Sequence, residues 1–149
     1  MKNSVFIIII FILCVGFLGS LPPRSLLPEN IRYAVLAGQS VKVELAITKE
    51  AQIRGLSGRS GLPEGEGMLF IFDTPSKKIF WMKDMNFAID MIWITEGKKV
   101  VYIEKNARPE SYPGTYFGPD TRVKYVLEVP AGFADKYNLE PGNPVVFTD

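Results

Sequence analysis

The sequence contains no histidine among its 149 residues, and its single cysteine, Cys14, lies in an apolar N-terminal segment. The absence of histidine excludes catalytic triads with an imidazole base and zinc sites with histidine ligands. The absence of a second cysteine excludes an internal disulfide, and no cysteine nucleophile follows position 14. An enzyme built on this chain would have to use carboxylates, lysine, arginine, tyrosine, serine or threonine.

The sequence also lacks an excess of charge of either sign. It has 17 basic and 16 acidic residues, and Lys2 is the only charged residue among the first 20, so the rest of the chain carries 16 of each. Proteins that bind nucleic acid neutralise phosphates with clustered Lys and Arg, and no such cluster occurs here. We therefore expect no nucleic-acid partner.

A long apolar run extends from Val5 to Leu18. Residues 1–21 are predicted to form a membrane anchor or a signal segment, because counting through Leu21 brings the run close to the roughly 20 residues of a membrane-spanning helix. No small-residue cleavage site is evident, which favours an uncleaved single-pass anchor with the domain on the extracytoplasmic side. The alternative is a secreted or periplasmic protein after cleavage.

Residues 22–30 form a proline-rich segment, which is typical of a stiff tether. Residues 31–149 are predicted to form a single globular domain, because short apolar or alternating segments follow one another between turn signals. The predicted strands are Val41–Ile47, Met68–Phe72, Lys78–Met82, Ile89–Ile94, Val100–Glu104, Arg122–Val129 and a last strand near Phe147.

Two short helices complete this prediction, one over Lys49 to about Ser57 and one of one or two turns within PAGFADKYN, residues 130–138. The pattern indicates a mainly β (α+β) protein, with a small antiparallel sheet curled into a sandwich or a partial barrel. The N-terminal membrane helix would precede it.

Three motifs occur in order: AQIRGLSGRSGLPEGEGMLFIF, FWMKDMNFAIDMIWI and YVLEVPAGFADKYNLEPGNPVVF. On these motifs the chain resembles DUF192, an uncharacterised bacterial and archaeal family, over about Val41–Phe147. The resemblance implies a compact, mostly β fold with short helices, and it implies no known reaction. Ser57, Asp84, Met85 and Ala88 depart from the usual pattern of the family, and the last three lie close to Asp90.

Asp90 is the first candidate site residue, because it interrupts the apolar strand Ile89–Ile94. Both faces of this strand are apolar, which predicts a central position in the sheet. A carboxylate in that position needs donors, since burying it bare costs several kcal/mol. We expect Arg54 and Arg59, or backbone amides, to supply them, either as a structural clasp or as a binding site for a polar ligand.

Glu128 is the second acid in an apolar strand. If Glu128 approached Asp90 across the sheet, the two carboxyl groups could act as the acid and the base of a glycoside hydrolase. The alternative is a solvated Glu128 beside Lys124.

The segment Asn106–Thr121 has three prolines and no periodicity, and such a long loop is often functional or mobile. Its residues Tyr112 and Tyr116 either stack on a ligand or cap the open end of the sheet. Thioethers select Cu(I), so Met82, Met85 and Met91 raise a copper hypothesis, although methionines in apolar strands usually fill the core.

The leading hypothesis is a non-catalytic binding or accessory module of the cell envelope, tethered to the membrane by its N-terminal segment. Its ligand would be an envelope glycan or peptide, and no cofactor or metal is expected. The predicted ligand-binding residues are Arg54, Arg59, Asp90, Tyr112 and Tyr116. The alternatives are a hydrolase that uses Asp90 and Glu128 on envelope glycans, and a Cu(I)-binding module.

Overall fold

The computed structural model describes residues 27–149 of the chain. The predicted anchor or signal at 1–21 and most of the tether at 22–30 lie outside these residues. Over 27–149, no helix is long and apolar enough to cross a membrane.

Seven strands and two short helices follow one another along the chain. The strands are β1 Tyr33–Leu36, β2 Gln39–Ala46, β3 Glu66–Ser76, β4 Ile89–Ile94, β5 Val100–Ala107, β6 Val123–Pro130 and β7 Val145–Thr148. The helices are α1 Lys49–Arg54 and α2 Phe133–Lys136. Single 3-10 turns lie at Pro28–Asn30 and Pro109–Ser111.

The strands form one sheet in the order β5-β4-β6-β3-β2-β1-β7. The pair β2–β3 is parallel and the other pairs are antiparallel. A bridge between Lys99 and Pro144 brings together the chain just before β5 and the chain just before β7, the two edge strands. The sheet is therefore curled into a half-barrel, which confirms the predicted mainly β class and the partial-barrel form.

The structure differs from the prediction at three places. The segment Lys78–Met82 is no strand and has only an isolated bridge from Phe80 to Phe117, because it packs across the outer face of the sheet. The strand β1 was not predicted, since its four residues give too short a pattern to detect. Helix α1 ends at Arg54, earlier than expected, because Gly55 has a positive φ of 49° and turns the chain away.

Apolar side chains cover both faces of the sheet. The inner cluster is the face to which all seven strands contribute, together with α2: its members include Leu36, Val43, Leu69, Ile92, Val100, Leu127, Phe133 and Phe147. The outer cluster lies on the opposite face and includes Leu56, Met68, Phe70, Met82, Met91, Trp93, Phe117 and Val126. Two acids, Asp90 and Glu128, are buried among these apolar residues.

Candidate functional site

Asp90 is fully buried and its carboxylate is held by backbone amides. Oδ1 accepts hydrogen bonds from the amides of Asn106 at 2.8 Å and Gly132 at 3.2 Å, and Oδ2 accepts one from Ala134 at 2.8 Å. These contacts join β4 to the end of β5 and to the first residues of α2. Asp90 therefore fastens three chain segments together, and the donors compensate for its lost hydration.

Of the two kinds of donor expected for Asp90, the structure has the backbone amides, and the alternative in which Arg54 and Arg59 neutralise it is wrong. The guanidinium of Arg59 pairs instead with Glu44 at 2.8 Å, and Arg54 lies at the mouth of a cavity on the other side of the sheet. Arginine is not needed, because the turn before α2 and the first turn of α2 each direct an amide at the Asp90 carboxylate.

Asp90 and Glu128 point to opposite faces of the sheet. Glu128 pairs directly with Met91, so these two side chains share a face, and Met91 belongs to the outer cluster. Asp90 is the neighbour of Met91 along the strand, so its side chain points to the inner face. The two carboxyl groups do not converge on one cleft, and the geometry does not support an acid–base pair.

Glu128 differs from Asp90 in having no donor to compensate for its burial. Its side chain is 5% exposed, and Oε2 is buried without a hydrogen-bond partner. Burial raises the pKa of Glu128 from 4.5 to about 8, and the positive charge of Arg59 opposes this shift only in part. Glu128 is thus a neutral carboxylic acid near pH 7, with one O–H donor and free acceptor capacity.

The Glu128 side chain forms part of the wall of a cavity of about 240 Å³ on the outer face. Most of the wall is apolar, and Glu128 is the only acid in it. The lining residues are Lys49, Gln52, Ile53, Arg54, Gly55, Leu56, Ser57, Phe70, Phe72, Lys78, Ile79, Phe80, Trp81, Met85 and Glu128. A largely apolar cavity with few polar groups is the usual form of a small-molecule site.

Helix α1 forms one wall of the cavity and is fastened at its first turn. Thr48 caps the helix by accepting a hydrogen bond from the Ala51 amide at 3.2 Å. Gln52 Nε2 donates to the carbonyl oxygens of Ile71 at 2.8 Å and Ala46 at 3.2 Å, which ties α1 to β3 and to the end of β2. This attachment places Ile53 and Arg54 at the mouth of the cavity.

The opposite wall is the segment Lys78–Met85, which also has specific supports. Trp93 Nε1 donates to the Lys78 carbonyl oxygen at 2.9 Å, and Ser57 Oγ donates to the Lys83 carbonyl oxygen at 2.9 Å. The chain at Gly118 approaches Lys78 so closely that a Cβ there would collide with the Lys78 carbonyl oxygen. Both walls are therefore preformed.

The loop aromatics lie beside this cavity. The ring of Trp81 contacts Tyr112 and Tyr116, with ring centroids 6.3 Å and 5.9 Å apart. The structure thus brings three of the predicted ligand-binding residues, Arg54, Tyr112 and Tyr116, to one side of the molecule and places Asp90 on the opposite face of the sheet.

The three methionines of the copper hypothesis lie in different environments. Met82 and Met91 are buried in the outer cluster, whereas Met85 lines the cavity. Across residues 27–149, no group of three or more His, Cys, Asp or Glu side chains is arranged to hold a metal ion.

Sequence reasoning missed the cavity and undervalued Glu128. The available signal was the apolar alternation of β6, in which Glu128 shares a face with Val126, a residue of the outer cluster. The presence of Lys124 on the same face favoured a solvated acid. Lys124 lies nearer the other end of the strand and pairs there with Glu96 at 3.0 Å.

By its fold and its cavity, this protein is a half-barrel domain with a neutral acid in the wall of a largely apolar site. Its family follows from a match to a family model. The DUF192 model, described as an uncharacterised ACR, matches residues 33–147, and the chain belongs to this family. No curated protein matches the chain significantly.

Solved structures that resemble this domain include the following two. One is a protein of unknown function from Novosphingobium aromaticivorans, with 30% identity, a TM-score of 0.73, and coverage of 78% of this chain and 84% of that chain. The other, from Sinorhizobium meliloti, is described as a "putative transcription regulator", with 28% identity, a TM-score of 0.71, and coverage of 77% and 90%. Both support the half-barrel fold, and neither description states a ligand.

Replacing Asp90 tests its role as a clasp. Asp90→Ala leaves three backbone amides without their acceptor, and each buried unpaired amide costs about 1–3 kcal/mol. We expect a large loss in the free energy of unfolding, measured by urea denaturation, and a smaller loss for Asp90→Asn, which keeps one oxygen. The exposed control Asp73→Asn should change little, and an Asp90→Ala protein as stable as the wild type would contradict the clasp.

Replacing Glu128 tests its protonation through the pH dependence of stability. The folded protein keeps the Glu128 proton up to about pH 8, whereas the unfolded chain releases it near 4.5. The folded state therefore binds more protons between these values, and its stability falls as pH rises, by up to about 1.4 kcal/mol per pH unit. Glu128→Gln removes this dependence.

The measurement is the difference in unfolding free energy between Glu128→Gln and the wild type, from urea denaturation at several values between pH 5 and pH 8. The difference should shift in favour of the glutamine variant as pH rises. Glu110→Gln, at an exposed carboxylate, is the matched control and should show no such trend. A pH-independent difference for Glu128→Gln would mean that Glu128 is already ionised in the folded protein.

Proposed function

We propose that this chain is a non-catalytic binding module whose ligand site is the cavity at Glu128. One observation carries the proposal: a buried acid without a partner for Oε2 forms part of the wall of an otherwise apolar cavity. A neutral carboxyl group in such a place favours a ligand that brings a hydrogen-bonding group with it, because the ligand then supplies the missing partner.

The cavity limits the size of the ligand. Its volume of about 240 Å³ lies below the roughly 300–1,000 Å³ typical of sites for drug-sized molecules. The rings of Phe70, Phe80 and Trp81 favour a flat or branched apolar group. The ligand is therefore a compact apolar group with a carbonyl, hydroxyl or amide, either as a small molecule or as one unit of an envelope glycan or peptide.

The proposed location is the extracytoplasmic side of the membrane. This part of the proposal rests on the apolar run from Val5 to Leu18 and on the proline-rich segment 22–30. In that position the domain would present its cavity to molecules of the cell envelope while the N-terminal segment holds it at the membrane.

Binding is tested with three probes that share a ring and differ in polar group: benzamide, benzyl alcohol and toluene. The full-length protein in nanodiscs is labelled with ¹³C at its methionine methyl groups, of which Met85 lines the cavity while Met82 and Met91 are buried. We expect the Met85 signal, assigned with Met85→Leu, to shift at lower concentrations of benzamide and benzyl alcohol than of toluene.

Two variants at Glu128 separate hydrogen bonding from cavity shape. Glu128→Leu replaces the carboxyl group with an apolar group of similar size. It should abolish the preference for the two polar probes without weakening toluene binding. Glu128→Gln keeps a donor and an acceptor, so it should retain the preference. Equal affinities of all three probes for the wild type, or no shift of Met85 with any of them, would contradict the proposed site.

A further inference from the structure

The mouth of the cavity carries a cluster of exposed apolar side chains. This mouth patch consists of Ile53, Ile79, Trp81, Tyr112 and Tyr116, whose exposed fractions range from 37% for Tyr112 to 69% for Ile53. The first three residues line the cavity, and the two tyrosines contact Trp81, so the five side chains lie around one opening. Exposed apolar side chains gathered in one place mark an interaction site more often than scattered ones do.

Three cations surround the same mouth. Lys49, Arg54 and Lys78 all line the cavity. Six ion pairs occur in the described part of the chain, and none of them includes these three residues. Glu128 is the one acid of the lining and forms no ion pair with any of the three, so the cations outnumber it whatever its protonation. The mouth therefore carries a local positive charge, although the chain as a whole is close to neutral.

This combination matches the interface of a lipid bilayer. Tryptophan and tyrosine favour the level of the headgroups, isoleucine favours the acyl region, and lysine and arginine pair with phosphates of anionic lipids. A protein partner would also bury the apolar residues, but it would not by itself require three cations outside any ion pair around them, one of which, Lys78, lies over the Phe72 ring at 3.9 Å. The charge complementarity favours an anionic lipid surface.

The sequence before the described residues strengthens this choice of occupant. The apolar run from Val5 to Leu18 is predicted to hold the chain at a membrane, and fewer than ten residues separate Leu18 from Leu27, where the described part begins. A tether of this length keeps the domain near the bilayer at high effective concentration, so a weak contact is enough to orient it.

We propose that the mouth patch docks on the anionic lipid surface of the membrane, with Ile79 and Trp81 in the interface and Lys49, Arg54 and Lys78 at the phosphates. The cavity then opens toward the bilayer. Docking involves the mouth patch and the three cations but not the acid inside the cavity, so it does not depend on ligand binding at Glu128. Failure of the proposed function and failure of this inference are therefore distinguishable.

The test is quenching of tryptophan fluorescence by brominated acyl chains, with full-length protein reconstituted in nanodiscs. Trp81 is half-exposed, whereas Trp93 is fully buried in the outer cluster, and Trp81→Phe supplies the signal of Trp93 alone. We expect strong quenching of the Trp81 component in phosphatidylglycerol-containing discs. In phosphatidylcholine discs, or in about 1 M salt where the Debye length falls to about 3 Å, the quenching should be weak.

Matched variants separate the patch from general effects of charge and hydrophobicity. Lys49→Gln combined with Lys78→Gln should lower the ratio of docked to undocked protein by about fivefold per removed charge. Lys42→Gln combined with Lys98→Gln removes the same charge elsewhere and should leave quenching unchanged. Ile79→Asn should weaken docking, whereas Val146→Asn, at an exposed apolar residue of β7, should not.

In the Glu128→Leu variant, the fluorescence of Trp81 should be quenched as strongly as in the wild type, which would show that docking is independent of the acid in the cavity. Three results would overturn the inference: no quenching of Trp81 in anionic discs, equal quenching with both lipid compositions, or equal effects of the two lysine pairs. Burial of Trp81 that requires two protein copies per disc would also overturn it, because the patch would then be an interface between copies of the chain.

Discussion

The alternation of side chains along β4 and β6 gives the two buried acids of this protein different environments. Asp90 points to the inner face, where the end of β5 and the start of α2 present three amides to it. Glu128 points to the outer face, among Met68, Phe70 and Met91, where Oε2 has no donor. The two acids have different environments because Glu128 pairs with Met91 and shares its face, whereas Asp90, the neighbour of Met91 along β4, faces the other side of the sheet.

The contrast between the two acids explains why only one of them marks a site. A carboxylate that accepts three hydrogen bonds stabilises the fold and has little capacity left for a ligand. A buried carboxyl group without a donor remains neutral and lowers stability whenever it ionises. Such a group is costly for folding alone, and its position in the wall of a preformed apolar cavity gives it a role in binding.

Much of the fold could be predicted from the sequence, because period-two alternation is a local signal. The strands β2, β4, β5 and β6 and the helix α1 all follow patterns of apolar and turn residues that lie within a few positions of one another. The segment Lys78–Met82 has an equally apolar pattern but packs across the outer cluster, and only its contacts with Trp93 and Phe117 decide this. Tertiary packing overrides the local preference there.

The candidate site could be predicted only in part, since it depends on contacts between distant segments. The apolar strand around Asp90 was enough to predict that this acid is buried and needs hydrogen-bond donors. It could not identify the donors, because two of them are the amides of Gly132 and Ala134, about 40 residues later in the chain. The protonation of Glu128 depends on burial by α1 and by the segment 78–85, neither of which adjoins it in sequence. The mouth patch likewise joins Ile53, Trp81 and Tyr116 from three separate segments.

The neutrality of Glu128 in the folded protein can be read from the titration of its own carboxyl carbon. The ¹³C shift of the Glu128 side-chain carboxyl, assigned with Glu128→Gln, can be followed by NMR from acid to alkaline pH in the folded protein. We expect a midpoint near pH 8, well separated from those of the exposed glutamates. A midpoint close to the ordinary value of 4.5 would contradict it.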